Sequence, residues 1–420
     1  MLNLFVLVSL SLLPEAGFCL EKVVGLDSAE ETATISSEEQ FPTDLEGNLE
    51  KGVAPNPPPK YLTRVKSITA GSNFACAVVG DAREVFCWGA APGLSANSSI
   101  AKKIDFPSPV EKIVAAESDA CALTQDGKTY CWGLNMGSST PSQTSIGNTF
   151  TDIFGSLGFL GKISTPSDQF LNLGQPLLQY PIANLSYWNP MKMILQHARV
   201  RCGTNLQNQL SCEGNKYFNG MSINGLNSNV IPATKVKDFD LASTHVCAVV
   251  EDENHGASGV YCWGYNYMGV FGNGEAPPSD LLPYIGNSAP SHTSPTPGFL
   301  NGLIGGEVPM KVSTSDYNTC ILTSFGNVRC AGGNVSGQLG NNSQTHSFFS
   351  VKSNVNAKAI AVGSLFACAL KNDETVECWG ANSMGQAGVG YSSPHPAGVL
   401  IPKKVVLNLQ ATNVVGDVEE

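Results

Sequence analysis

This 420-residue sequence predicts an all-β fold assembled from repeated hairpin units, on three observations. The composition is rich in turn formers and poor in charge: 43 glycines and 25 prolines accompany only 14% charged residues, which points to many turns and few amphipathic helices. Twelve of the 13 cysteines fall into six pairs, four of which enclose nine residues. The first cysteines of successive pairs are 45, 81, 45, 73 and 48 residues apart, a period near 45 interrupted by two long insertions. Such a period marks a solenoid or a propeller.

Taken from the N-terminus, "MLNLFVLVSLSLLPEAGFC" contains an apolar run of about ten residues, too short to span a bilayer, and reads as a secretory signal peptide over residues 1–19. Gly17 meets the small-residue preference for a cut after Cys19, whereas Phe18 disfavours a lipoprotein cleavage before that cysteine. Residues 20–60 are acidic and then proline-rich ("DSAEETATISSEEQ", "PNPPPK") and read as a flexible leader. The even number of cysteines beyond Cys19 favours disulfides in an oxidising compartment, so the expected location is extracellular. Sequons at Asn97, Asn184 and Asn341 are the glycosylation candidates on that route. A formal net charge of -11 argues against nucleic acid or an anionic membrane as partner, and no later apolar run is long enough for a membrane span.

The cysteine pairs are Cys76 with Cys87, Cys121 with Cys131, Cys202 with Cys212, Cys247 with Cys262, Cys320 with Cys330, and Cys368 with Cys378. In "CALTQDGKTYCWG", a three-residue loop Gln125-Asp126-Gly127 sets Thr124 against Lys128, and the same register sets Cys121 against Cys131. Gly127, Gly326 and Asn208 occupy the loop position that needs a left-handed backbone. Directly opposed residues of an antiparallel pair lie within disulfide reach, so each pair closes a bridge inside its own hairpin. Each bridge is worth roughly 2.7 kcal/mol in the chain-entropy treatment. No C-x-x-C occurs and the six histidines are scattered, which disfavours both a metal clip and a thioredoxin-like redox pair.

Eight residues before each first cysteine stands an apolar residue, Ile68, Ile113, Ile194, Phe239, Val312 or Ile360, and three residues later a mostly small one. An apolar strand, a tight bend and a stapled hairpin give three strands per copy; a fourth is expected around "PVEKIVA" and "PMKVSTS". Trp88, Trp132, Trp263 and Trp379 directly follow a second cysteine. Adjacent strand residues face opposite sides, so these strands carry bulk on both faces and must be covered on both, as in blades packed around an axis. After the Trp come "GGNVSGQLG", "GANSMGQAG" and "GYNYMGVFG", whose Asn can bond nearby backbone while the glycines supply positive φ. Asn334 therefore sits in a structural turn despite its sequon.

The string "I-x-A-G … C-A-L-x … D-G-x-x-x-C-W-G-x-N-x-x-G-Q-L-G" resembles the regulator-of-chromosome-condensation repeats between Val65 and about Gly390, apart from the insertions. That resemblance implies a β-propeller of four-stranded blades, commonly closed by strands from both chain ends. Cysteine pairs flanking the hairpin, as in "FACAVVGDAREVFCWG", look most like the extracellular propellers of crinkly-type plant receptor kinases; the chain lacks their transmembrane helix and kinase region. It departs from the nuclear exchange factors by its acidity and its signal peptide, and no residue matches their functional loops. The expected organisation is a propeller over 61–412 with insertions at 134–190 and 265–308 and an acidic tail over 413–420. Six blades are recognisable; a seventh without cysteines would fall between Asn135 and Pro190, and the tail "PKKVVLNLQATNVV" would complete the first blade.

The insertions carry aromatics, among them Phe154, Tyr187 and Trp188 in one and Tyr267 and Tyr284 in the other. Aromatic loops on a rigid scaffold are where binding usually resides, although the same residues would serve to pin the loops or fill a hidden blade. No G-x-S-x-G, P-loop or H-E-x-x-H occurs, no catalytic or metal-ligating residue is assigned, no cofactor is implied, and His245 reads as structural. The leading expectation is a secreted module that binds an extracellular protein or ligand without catalysis. The alternatives are a hydrolase or lyase with its site at the channel, or a secreted enzyme inhibitor. Carboxylates or histidines clustered at one channel opening would favour the enzyme, and a broad carboxylate-free aromatic face made by both insertions would favour binding.

Overall fold

The computed structural model describes residues 59–144, 149–155, 159–163, 169–173, 191–197, 200–214, 234–252, 258–275, 291–299 and 303–407. The leader up to residue 58, the acidic tail, Asn184, Tyr187, Trp188 and Tyr284 lie outside them, whereas Lys60, expected in the leader, is already part of a strand. Among the described residues, seven antiparallel sheets follow one another along the chain. Their innermost strands are Val65–Ala70, Val110–Ala116, Asp152–Gly155, Met191–His197, Thr234–Leu241, Pro309–Thr314 and Ala359–Val362, here blades 1 to 7. Each inner strand neighbours the next, and that of blade 7 neighbours that of blade 1, so the ring closes as a β-propeller.

Blade 3 is the seventh, cysteine-free blade. Asp152–Gly155, Phe159–Ile163 and Gln169–Asn172 form a three-stranded sheet where the 134–190 insertion was expected. Its Ile153, with neighbouring Phe150 and Leu173, packs against Cys121, Leu123 and Cys131 of blade 2. One expectation is corrected: "PVEKIVA" and "PMKVSTS" are inner strands, and the fourth strands lie downstream of the Trp-Gly turns, as in Ser98–Ile104, Ser347–Asn356 and Val399–Lys404. These outer strands are half exposed and carry no fixed residue, so the sequence pattern does not mark them.

All six cysteine pairs are opposed in register and bridged, with Cα atoms 4.1 to 4.2 Å apart. Gly127 and Gly326 have φ of 77° and Asn208 of 59°, as a left-handed loop position requires. The core is divided into wedges between blades. Cys76 and Cys87 pack toward blade 2, whereas Trp88, on the next residue, packs with blade 7. Trp379 donates to Gln338 O at 2.9 Å, Trp88 to Gln386 O at 3.0 Å and Trp132 to Pro92 O at 2.8 Å, each reaching the Trp-Gly turn of the preceding blade. All four tryptophans are buried, and these three indole N–H groups are satisfied in the wedge.

Both chain ends close on blade 1. Lys60–Tyr61 pairs with Val406–Leu407, which runs parallel to Ser98–Ile104 at the outer edge of that blade. Leu407 of the tail pattern is therefore part of this closure, while Val399–Lys404 before it completes blade 7.

Candidate functional site

Antiparallel neighbours reverse direction, so the bends from inner to second strand and the long turns from third to fourth strand emerge at one end of the ring, the turn end. The cysteine-flanked loops and the blade-to-blade connections emerge at the other, the hairpin end. At the turn end the inner strands enclose an axial cavity of about 230 Å³. Thr69, Ser72, Glu117, Asp240, Asp316 and Ser364 contribute its polar lining.

An inner strand has a ladder partner on one side only, and N–H groups on its other edge need acceptors. The residue just after the constant apolar position of the preceding blade supplies them. Thr69 Oγ1 accepts from Ala115 N at 3.0 Å, Asp240 Oδ2 from Thr314 N at 2.8 Å and Ser313 Oγ from Val362 N at 3.2 Å. Asp238 Oδ2 likewise accepts from Val312 N at 2.9 Å. A second belt joins the bends: Ser364 N donates to Ser72 O at 3.1 Å, Ser72 N to Glu117 O at 2.8 Å and Ser243 N to Asp316 Oδ1 at 2.7 Å. These bonds tie neighbouring blades around the cavity.

The belt also sets the electrostatics. Burial pushes the Asp240 carboxyl up to about 7, against the N–H donors of Thr314 and Leu241 and with a further push from Asp238. Burial raises Asp238 as well, although Lys311 Nζ at 3.3 Å opposes it. Glu117 is exposed at the rim, yet the cavity wall removes enough water that desolvation raises its pKa, with the nearby Asp316 and Asp119 adding to the shift. Among the described residues no group of three or more His, Cys, Asp and Glu side chains is placed to hold a metal ion.

Around this mouth lie the turns that follow the Trp-Gly pairs. Asn334 Oδ1 accepts from Leu339 N at 2.9 Å, Asn382 Oδ1 from Ala387 N at 3.1 Å and Asn266 Oδ1 from Phe271 N at 3.0 Å, so one Asn organises each turn. Within these turns Val335 and Met384 point outward, at 38% and 40% exposure, while Ser336 turns inward and is buried.

Residues 357–386 match the family described as Regulator of chromosome condensation (RCC1) repeat, a span running from the end of blade 6 through the Asn382–Gln386 turn of blade 7. Residues 357–386 carry this repeat. Among solved structures it is similar to Prp20p from Saccharomyces cerevisiae at 16% identity, covering 83% of this chain and 78% of that one with a TM-score of 0.45. It is similar also to the ectodomain of the receptor kinase CR4 from Physcomitrella patens, at 15% identity over 76% and 74% of the two chains with a TM-score of 0.48. A third is the ectodomain of the receptor kinase ACR4 from Arabidopsis thaliana, at 14% identity over 80% and 99% with a TM-score of 0.44. No helix among the described residues is long and apolar enough to cross a membrane.

Within the repeat propeller, the aromatics singled out in the sequence separate. Phe154 is no loop residue: it is buried in the inner strand of blade 3, with Lys112 Nζ 4.6 Å from its ring centroid. Tyr267 does lie in a turn-end loop, half-buried, its ring 6.4 Å from that of Tyr317 at 61°. Asn97 is exposed in the Trp-Gly turn of blade 1. Asn341 is half-buried and its Oδ1 accepts from Asn334 Nδ2 at 3.2 Å, and Asn334 itself is fully buried. His245 is buried with Nε2 2.8 Å from Thr319 Oγ1 and Nδ1 3.1 Å from Thr244 Oγ1. The mouth carboxylates Glu117, Asp240 and Asp316 were missed. Their signal was positional: a polar residue after the constant apolar one in blades 1, 5 and 6, and an acid where blades 1, 5 and 7 carry Ser72, Ser243 and Ser364.

Proposed function

We propose that the protein is a secreted repeat propeller whose turn end binds another protein, with no catalytic step of its own. The observation that carries this reading is the outward row of apolar turn residues, Leu134, Val335, Met384 and Tyr391, at 80%, 38%, 40% and 47% exposure on a stapled and closed ring. A protein that exposes apolar groups repeatedly on one rigid face is built for a partner. Six buried disulfides support an oxidising, extracellular location. Of the sequons, Asn97 offers an accessible carboxamide, whereas Asn334 Nδ2 is committed to Asn341 Oδ1, Ser343 O and Thr345 O.

The test is proximity labelling in medium conditioned by the secreting cells. Val335→Ser with Met384→Ser is compared with Phe325→Ser, whose 55% exposed ring lies on a hairpin-end loop. Loss of labelled proteins with the turn-end pair alone supports the reading; an unchanged set overturns it.

A second reading, a hydrolase or lyase, is favoured by the carboxylates at the channel opening, since a group with a pKa of about 7 suits general acid or base work. Its geometry favours a structural role instead. Asp240 accepts from Thr314 N with one oxygen and from Leu241 N, at 2.9 Å, with the other. Retention of full partner binding by Asp240→Asn, alongside loss of any turnover found in a substrate screen, would decide for the enzyme.

A further inference from the structure

The charge of this molecule is sorted between its two ends. The described turn-end segments, 71–73, 90–97, 117–118, 134–137, 242–244, 266–275, 315–317, 333–346, 363–365 and 381–398, contain no Lys or Arg. The hairpin end holds cations and neutralises them: Arg83 meets Glu111 at 2.9 Å, Lys66 meets Glu374 at 3.1 Å and Lys128 meets Asp126 at 2.9 Å. The turn end holds Glu117 and Asp316 without an ion pair among the described residues. Among the described residues the Glu117 carboxylate accepts no hydrogen bond, and Asp316 uses one oxygen for Ser243 N, with no described donor on the other. Beside Asp316 in sequence stands Tyr317, paired edge to face with Tyr267. Two mouth carboxylates, one of them beside a paired tyrosine in sequence, on the same end of the ring as the exposed Leu134, Val335, Met384 and Tyr391, match a planar cation better than a point charge, because a guanidinium both forks onto a carboxylate and stacks on a ring.

Resting on the binding reading above, the geometry points to a partner protein that docks on the turn end through an arginine placed over the axial mouth. The guanidinium meets Glu117 and Asp316, its plane lies against Tyr317 and Tyr267, and apolar neighbours of the arginine cover Val335 and Met384. Association is steered by the acidic mouth and weakens with salt.

The test selects a random-peptide display library on the intact, disulfide-bonded protein and resynthesises the enriched peptides with each arginine replaced by citrulline, its neutral isostere. Enriched peptides are expected to carry an arginine between apolar residues, and citrulline is expected to weaken them by roughly tenfold, the worth of one charge-assisted pair. Glu117→Gln with Asp316→Asn should weaken the arginine peptide by a similar factor and leave its citrulline form unaffected. Val335→Ser with Met384→Ser should weaken both forms alike. Peptides that lose binding with the Val335 and Met384 pair yet tolerate citrulline overturn the arginine and leave the binding face standing. Peptides indifferent to every turn-end substitution, or a library that yields none, overturn the face and the arginine together.

Discussion

Where blades 2 and 6 place Gly127 and Gly326, blade 7 places Glu374, at a φ of 61° against 77° for both glycines. A side chain in that left-handed region costs on the order of 1 kcal/mol, and the half-exposed ion pair of Glu374 with Lys66 recovers little of it. Glu374→Gly is therefore expected to raise stability by about 0.5 kcal/mol in denaturant titration, after the entropy glycine adds to the unfolded chain. Gly127→Ala should lower it by about 1–2 kcal/mol, because the new Cβ is strained and meets Thr149 Cγ2. If both changes fall within error of zero, the left-handed requirement is wrong. The glycine positions were legible because their residue type signals the conformation, whereas a glutamate in the same place gives no sign. Asp240 was hidden for a related reason: an aspartate within a strand reads as a solvated side chain until the neighbouring strand's N–H is seen. Its carboxyl is held near 7 in the fold and at its ordinary 3.8 in the unfolded chain, so between those values the folded state keeps a proton that the unfolded state releases. Its contribution is greatest at acid pH, falls as pH rises through that window and is fully lost above about 7. Asp240→Asn should flatten the decline in melting temperature between pH 5 and 8 and still accept from Thr314 N. Neighbouring Asp238, partnered by Lys311, and the rim carboxylate Glu117 remain as background in both proteins. Parallel pH profiles for the two would remove Asp240 as the source.

At the scale of the element, six blades announce themselves by a cysteine pair in register, and blade 3 does not. Ladder hydrogen bonds are made by backbone and need no particular residue, so a blade held by apolar packing alone leaves only a short pattern, as in "FTDIFG". The outer strands were missed on the same ground, having one packed face and no constant side chain. What blade 3 must supply is an apolar surface for the disulfide face of blade 2, and fully buried Ile153 supplies the centre of it. Ile153→Ala is expected to cost about 2–4 kcal/mol, the range for emptying a buried aliphatic site. A residue in a loop laid over the ring would cost less than about 0.5 kcal/mol on the same substitution. The denaturant midpoint therefore separates a true seventh blade from an insertion.

For the whole molecule, the tail's repeat-like pattern made its pairing with the first blade readable, but the order of strands there was not, since two short segments from opposite ends share one edge. Leu62 N donates to Val405 O at 2.9 Å, and both side chains are buried in the same core as Trp88, which fills the wedge between blades 7 and 1. A ring of repeats in which each blade touches only its neighbours gains cooperativity from this one seam, because opening it turns a closed array into a linear one with two free ends. The two ends of the ring then depend on the seam differently. The turn-end belt crosses it through the bond from Ser364 N to Ser72 O, so loosening the seam also widens the acidic mouth between blades 7 and 1. Val405→Ala is expected to cost about 1–3 kcal/mol, and combining it with Leu62→Ala should cost at least 0.5 kcal/mol less than the sum of the single changes, as residues sharing one contact do. Limited proteolysis of the Val405→Ala protein should cut first at the outer edge of blade 1 and only later in blades 5 and 6. Simple additivity of the two substitutions, with first cuts elsewhere, would mean that the pairing of the chain ends does not hold the ring shut.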